Sequence, residues 1–183
     1  INIMGLDWFQ IRFVQNNGMA WGTEFGGRTG KLLLTIFRLI AVTGIGYWLY
    51  ISIKAKKYKI LIIAIALIFA GALGNIIDSI FYGLLFNDPY HNEVASLFAK
   101  DHYDTLFHGK VVDMFYFPFI ENGTLPSWIP FIGGKTFTFF NAIFNVADSA
   151  ITIGVFLLIL FNKKAFPKDV SILEKESKEA ILN

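Results

Sequence analysis

Three carboxylates stand in or against the most apolar stretches of the sequence: Asp78, Asp113 and Asp148. An ionised side chain in hydrocarbon costs a few kcal/mol, so each is a candidate for function before it is a candidate for packing. Around Asp148, the residues Asn141, Asn145 and Thr152 recur at helical spacing and predict one polar stripe facing the interior of a bundle. Asn and Thr also serve as hydrogen-bonding glue between helices, but a carboxylate is a costlier glue than an amide. Asn75 and Asp78 form a second, shorter polar face beside Gly71 and Gly74, where Asp78 could equally be a structural partner. Asp113 lies in an aromatic-rich run, Val111 to Phe117, placed to return toward Asp148. Two carboxylates held close share a proton, which leaves one as base for a water and the other as acid for a carbonyl. That is the chemistry of an aspartyl hydrolase. The same acids could serve a proton- or cation-coupled carrier, or bind a partner helix in a structural subunit.

Other chemistries find little support. The three histidines, His91, His102 and His108, have no metal-ligand spacing, and a solvated loop is their simplest setting. Zero Cys removes thiolate nucleophiles, thiolate metal sites and disulfides together. No nucleophile elbow, phosphate loop or dinucleotide fingerprint occurs, so no metal and no cofactor is expected. A formal charge of +2, with no basic stripe, argues against nucleic acid as a partner.

The elements that must position the acids are set by hydrophobicity. The chain of 183 residues is 55% hydrophobic and 16% charged, with mean hydropathy +0.53. Three runs are long and apolar enough to cross a bilayer, which takes roughly 20 helical residues: 32–53, 60–86 and 137–161. Lys54, Lys56, Lys57 and Lys59 lie between the first two, and Lys163, Lys164 and Lys168 follow the third. Both sets read as cytoplasmic, which places the acidic connection 87–136 outside. Residues 1–31 then also lie outside, and a preceding crossing is expected to be missing. Phe9, Ile11 and Phe13 alternate with polar residues ahead of Asn16-Asn17-Gly18, a pattern for a strand entering a hairpin. Gly22, Gly26, Gly27 and Gly30 predict loop after it. The expected architecture is an all-α membrane bundle with a small extracytoplasmic β-cradle. It divides into the cradle at 1–31, the bundle at 32–161 and a charged cytoplasmic tail at 162–183. Arg38, inside the first run, either snorkels to the surface or points at the acids.

Several stretches together resemble the lipoprotein signal peptidases (signal peptidase II) of bacteria. Val14 to Gly22 resembles the family segment V-x-N-x-G-A-A-F-G, and Ala70 to Asp78 resembles G-G-A-x-G-N-x-x-D-R. Val111 to Met114 resembles V-x-D-F, and Phe144 to Ser149 resembles F-N-x-A-D. The resemblance implies that Asp113 and Asp148 are the catalytic pair. It also implies that Asn16, Gly18, Asn75, Asp78 and Asn145 shape the site or bind substrate. Its substrate would be a prolipoprotein carrying a diacylglyceryl-modified Cys, cleaved just before that Cys in the bacterial inner membrane. Membrane lipid and globomycin-type inhibitors would be further partners, and the chain is expected to act as a monomer. Ser79 stands where the family has Arg, and Arg38 is the candidate to supply that guanidinium. The loop 87–110 is longer than the family's usual one.

Overall fold

The computed structural model describes residues 1–17, 26–88 and 94–167. Gly18 and His91, the Trp21 region of the first motif, and the tail from 168 onward lie outside the described residues.

Two long apolar helices dominate, α1 (Gly27–Lys54) and α2 (Lys59–Leu85), both long and apolar enough to cross a membrane. At 1.5 Å per residue each extends about 40 Å, beyond the roughly 30 Å of a hydrocarbon core. Their limits fall within a residue of the expected ones except at the start of α1. There Gly27 and Gly30 are helical, not loop, because Gly26 at φ 71° makes the left-handed entry and its carbonyl accepts from the Gly30 N–H at 3.1 Å. The lysine-rich connection between the helices is a tight turn closed by Lys57 N–H onto the Ser52 carbonyl at 3.0 Å.

The third helix, α3 (Val146–Leu160), is shorter than expected. Residues 137–144 were read as its beginning. They instead contribute to β5 (Thr136–Phe139) and β6 (Ile143–Phe144). Alternating Thr and Phe favours a pleated surface over a helix, and Asn145 at φ −117°, ψ −179° stops the helix by capping it. The four-residue polar stripe therefore does not exist. Asn141 is exposed ahead of the helix, Thr152 is exposed on it, and only Asn145 and Asp148 face inward. A short turn, α4 (Asn162–Ala165), follows, and Ala165 packs on Leu61 and Ile65 of α2.

Helices α2 and α3 touch backbone to backbone. A Cβ on Gly71 would collide with the Ala147 carbonyl oxygen, and one on Gly154 would sit 2.7 Å from that of Ala64. Small residues at these crossings let the α3 head, with Asp148, lie against Asn75 of α2.

The sheet is larger than the N-terminal element expected. Its antiparallel strands run β1 (Asn2–Ile3), β2 (Leu6–Asn16), β3 (Val111–Tyr116) and β6 in spatial order. The turn that starts β2 is upstream, at Met4 and Gly5, both at positive φ. On its other side β2 pairs with β3, nearly a hundred residues later, with Val14 opposite Asp113 and Asn16 opposite Val111. A separate hairpin, β4 (Ile120–Thr124) with β5, projects from the sheet.

Candidate functional site

Alternation along β3 puts Val111, Asp113 and Phe115 on one face and Val112 and Met114 on the other. Asp113 is buried at 5% exposure. Its Oδ2 accepts from Asn16 Nδ2 at 3.0 Å, and its Oδ1 accepts from Asn145 Nδ2 at 2.9 Å. The same Asn145 amide donates to Asn75 Oδ1 at 3.1 Å, and Asn75 Nδ2 donates to Asp148 Oδ1 at 2.9 Å. Asn145 and Asp148 also close a reciprocal cap. The Asp148 N–H donates to Asn145 Oδ1 at 2.9 Å, and the Asn145 N–H donates to Asp148 Oδ2 at 3.2 Å. Asn145 thus holds both acids, one through its side chain and one through its backbone. Four elements meet here: β2 brings Asn16, β3 Asp113, α2 Asn75, and the head of α3 the other two.

Burial pushes the Asp113 pKa up from its ordinary 3.8. The amide of Asn16 opposes that rise, the charge of Asp148 adds to it, and Asn145 opposes it again. Asp113 is therefore disposed to hold a proton beside a second carboxylate.

Asp78 approaches the pair one turn further along α2. It interacts with the Tyr82 side chain, the Val112 backbone and the charge of Asp113. Arg38 of α1 lies within electrostatic reach of Asp148. Ser79, in contrast, is buried and donates to the Asn75 carbonyl at 2.8 Å, so it has a local partner of its own. On α1 the inward polar face is Lys31, Thr35 and Arg38, with exposed Arg28 above it at the start of the helix. Arg28 pairs with Asp104 at 3.0 Å and donates to Thr105, while Lys31 donates to Asn17 Oδ1 at 2.9 Å.

A cavity of about 400 Å³ opens beside the acids. Asn75, Asp78 and Asn145 belong to its wall, and Phe13, Met114 and Phe86 make much of it apolar. Sequence reasoning passed over Gln15, Tyr82, Tyr103 and Lys110, which also line it. Tyr82 could have been found, since it stands four residues after Asp78 on the same helix face. Gln15 continues the alternation of Phe9, Ile11 and Phe13 without marking itself as a site residue, and Tyr103 and Lys110 come from a loop that carries no periodic signal. Lys110 Nζ donates to Gln15 Oε1 at 3.0 Å, and its N–H donates to the Tyr103 hydroxyl at 2.7 Å. The loop ahead of β3 is bound to the end of α2: Phe107 N–H donates to Ile80 O at 3.0 Å and Gly109 N–H to Ser79 O at 2.9 Å. His108 is buried within that loop, with Nδ1 2.9 Å from the Leu106 carbonyl, while His102 is exposed. Among the described residues no three His, Asp or Glu side chains gather as a metal-ligand set.

Helices long and apolar enough to cross a membrane, with a carboxylate cluster at one end against a sheet, fit a membrane-bound hydrolase. The profile of the family Signal peptidase (SPase) II matches residues 1–163, and the chain belongs to that family. A lipoprotein signal peptidase of Porphyromonas gingivalis is 48% identical over 168 residues, covering 91% of this chain and 70% of that one. One of Amoebophilus asiaticus is 36% identical over 176 residues, covering 95% and 69%. One of Staphylococcus aureus is 34% identical over 166 residues, covering 90% and 68%. A solved bacterial membrane enzyme, determined by the in meso method, is 29% identical with a TM-score of 0.48, covering 92% of this chain and 76% of its own. The chain is accordingly a membrane-located peptidase that removes signal peptides.

Proposed function

We propose that Asp113 and Asp148 are the catalytic pair with which this chain cuts the signal peptide from diacylglyceryl-modified prolipoproteins, immediately before the lipidated Cys. The observation that carries the assignment is Asn145, which hydrogen-bonds to both acids and leaves neither free to turn away. Asp113, whose pKa is raised, starts as the acid, and Asp148 starts as the base. Asp148 takes a proton from water as its oxygen bonds to the scissile carbonyl carbon, and Asp113 gives its proton to the carbonyl oxygen. The C–N bond then breaks, the new amine takes the proton from Asp148, and the hydroxyl proton returns to Asp113. Asn16, Asn75 and Asn145 position the acids, and Asp78 joins the wall that receives the peptide. Arg38 balances the charge of Asp148.

In this reading α1, α2 and α3 each cross a bacterial inner membrane, with the lysine-rich α1–α2 turn and Lys163 and Lys164 cytoplasmic and the sheet and acids at the outer face; the basic residues flanking the helices support it. The substrate's acyl chains would remain in lipid beside the helices, contributing about 0.8 kcal/mol of binding per buried CH₂. Globomycin-type inhibitors would compete for the cavity, and the chain would act as a monomer, since all the groups named here come from one copy.

The test is incubation of the purified protein with a diacylated prolipoprotein. Asp113→Asn and Asp148→Asn should each abolish the shortened product while the protein still inserts into membrane. Product from either variant refutes the pair. Substrate-dependent ion flux without cleavage would favour a carrier instead.

A further inference from the structure

The hairpin β4–β5 ends in a tip, residues 125–134, whose backbone is hydrogen-bonded shut. Leu125 N–H donates to Lys135 O at 3.0 Å, Gly134 N–H to Leu125 O at 2.9 Å, and Gly133 N–H to Ile129 O at 2.9 Å. A hairpin tip standing in water would ordinarily present polar side chains. This one presents Trp128 at 79% exposure, Phe131 at 98% and Ile132 at 45%. Phe131 holds φ 67°, a conformation that L residues with large side chains adopt at a cost, and its ring touches almost nothing in the protein. No charged residue occurs between Glu121 and Lys135.

The root of the hairpin is fixed to the head of α3. Phe119 lies 6.0 Å from Phe140 between ring centroids, and Phe140 lies 6.1 Å from Phe144, two residues ahead of α3. Phe119 also stacks on Trp8 and Phe117. Five strand residues reach about 17 Å, a lever too short to carry the tip far from the membrane surface at which α3 begins.

We propose that the 125–134 tip is seated in the headgroup region of the lipid bilayer on the side where the site opens, with Trp128 and Phe131 at the acyl boundary. Trp and Phe are residues that partition there, and the absence of charge across the tip removes the cost of entering it. The headgroup region also offers water and polar lipid groups to the main-chain N–H groups of the tip that the turn itself leaves open.

The chain has no Cys, so Phe131→Cys and, separately, Trp128→Cys each give a single labelling site. The bimane-labelled variants would be reconstituted in phosphatidylethanolamine and phosphatidylglycerol vesicles. The proposal expects most of the emission to be lost to lipids brominated on their acyl chains, with little loss to aqueous iodide. Trp128→Phe in the otherwise native chain should likewise remove part of the bromolipid-quenched tryptophan emission, which checks the result without a label. Full iodide access with no bromolipid quenching would overturn it. So would protection that grows with the protein-to-lipid ratio, since a second copy would then be covering the tip.

Discussion

Asn145→Ser separates the two tasks of the residue that joins the acids. A serine oxygen can still accept the Asp148 N–H, because Ser and Asn cap helices about equally well. It is too short to reach Asp113 and Asn75, so the bonds of 2.9 and 3.1 Å are lost. A hydrogen bond to a charged group is worth about 1.5–3 kcal/mol. Removing it from ionised Asp113 should raise that pKa further, because one of the two amides that oppose the rise is gone. Loss of the bond to Asn75 also loosens Asp148, and misplacement of about 1 Å can cost roughly a hundredfold in rate. The assay is initial-rate cleavage of a diacylated precursor across pH. The expected result is a lower plateau with the alkaline limb displaced upward, because the acid keeps its proton to higher pH. Asn145→Ala should show the same limb and lose about 1 kcal/mol more in thermal stability through the missing cap. Cleavage by Asn145→Ser at the parental rate, with an unmoved pH profile, would refute the idea that Asn145 sets up the pair.

Gly154→Ala should destabilise the protein by about 1–3 kcal/mol in thermal unfolding, because its Cβ meets Ala64 O and Ile68 Cγ1 at 2.7 Å. Gly44→Ala, with nothing within 4 Å, should cost nothing or gain up to about 1 kcal/mol, and equal effects at the two sites would contradict the close crossing. Arg38→Ala should slow cleavage by about tenfold or more by leaving Asp148 without its nearby cation, and cleavage at the parental rate would remove Arg38 from the site. Because the folded pKa of Asp113 is raised, the fold binds that proton more tightly than the unfolded chain does. Its stabilising contribution is thus complete below 3.8 and lost as pH rises through the folded value. Asp113→Asn should then melt higher than the parent near neutral pH, with Asn16 turning its amide to match. The advantage should shrink toward pH 3.8, and a gap widening on acidification would contradict the shift.

The parts of this fold legible in the sequence are those governed by unbroken apolar runs. Helices α1 and α2 follow directly from such runs, because a crossing helix needs little besides length and hydrophobicity. The β2 strand was legible through the alternation of Phe9, Ile11 and Phe13. Its main partner was not, since β3 pairs with it across about a hundred residues and local pattern carries no information about register. The start of α3 was misplaced because the Thr-Phe alternation lasts only four residues, 136–139, and then runs into an apolar stretch continuous with the helix. Within the site, Asn75, Asp78, Asn145 and Asp148 stood out because polar groups amid apolar residues are conspicuous. Gln15, Tyr103 and Lys110 did not, because such residues are ordinary in loops and strands. Tertiary packing alone brings them to the cavity.

The brevity of α3 has a further consequence. Fifteen residues rise about 22 Å, some 8 Å less than the thickness of an average hydrocarbon core. A segment shorter than its bilayer draws the leaflets together around it. The dimple would form beside the head of α3, where Asp148 lies, and would lower the water boundary toward a bond that is otherwise held within lipid. With α3 crossing the bilayer as proposed, the acyl-chain length of the surrounding membrane would control turnover, thin bilayers relieving the mismatch and thick ones straining it.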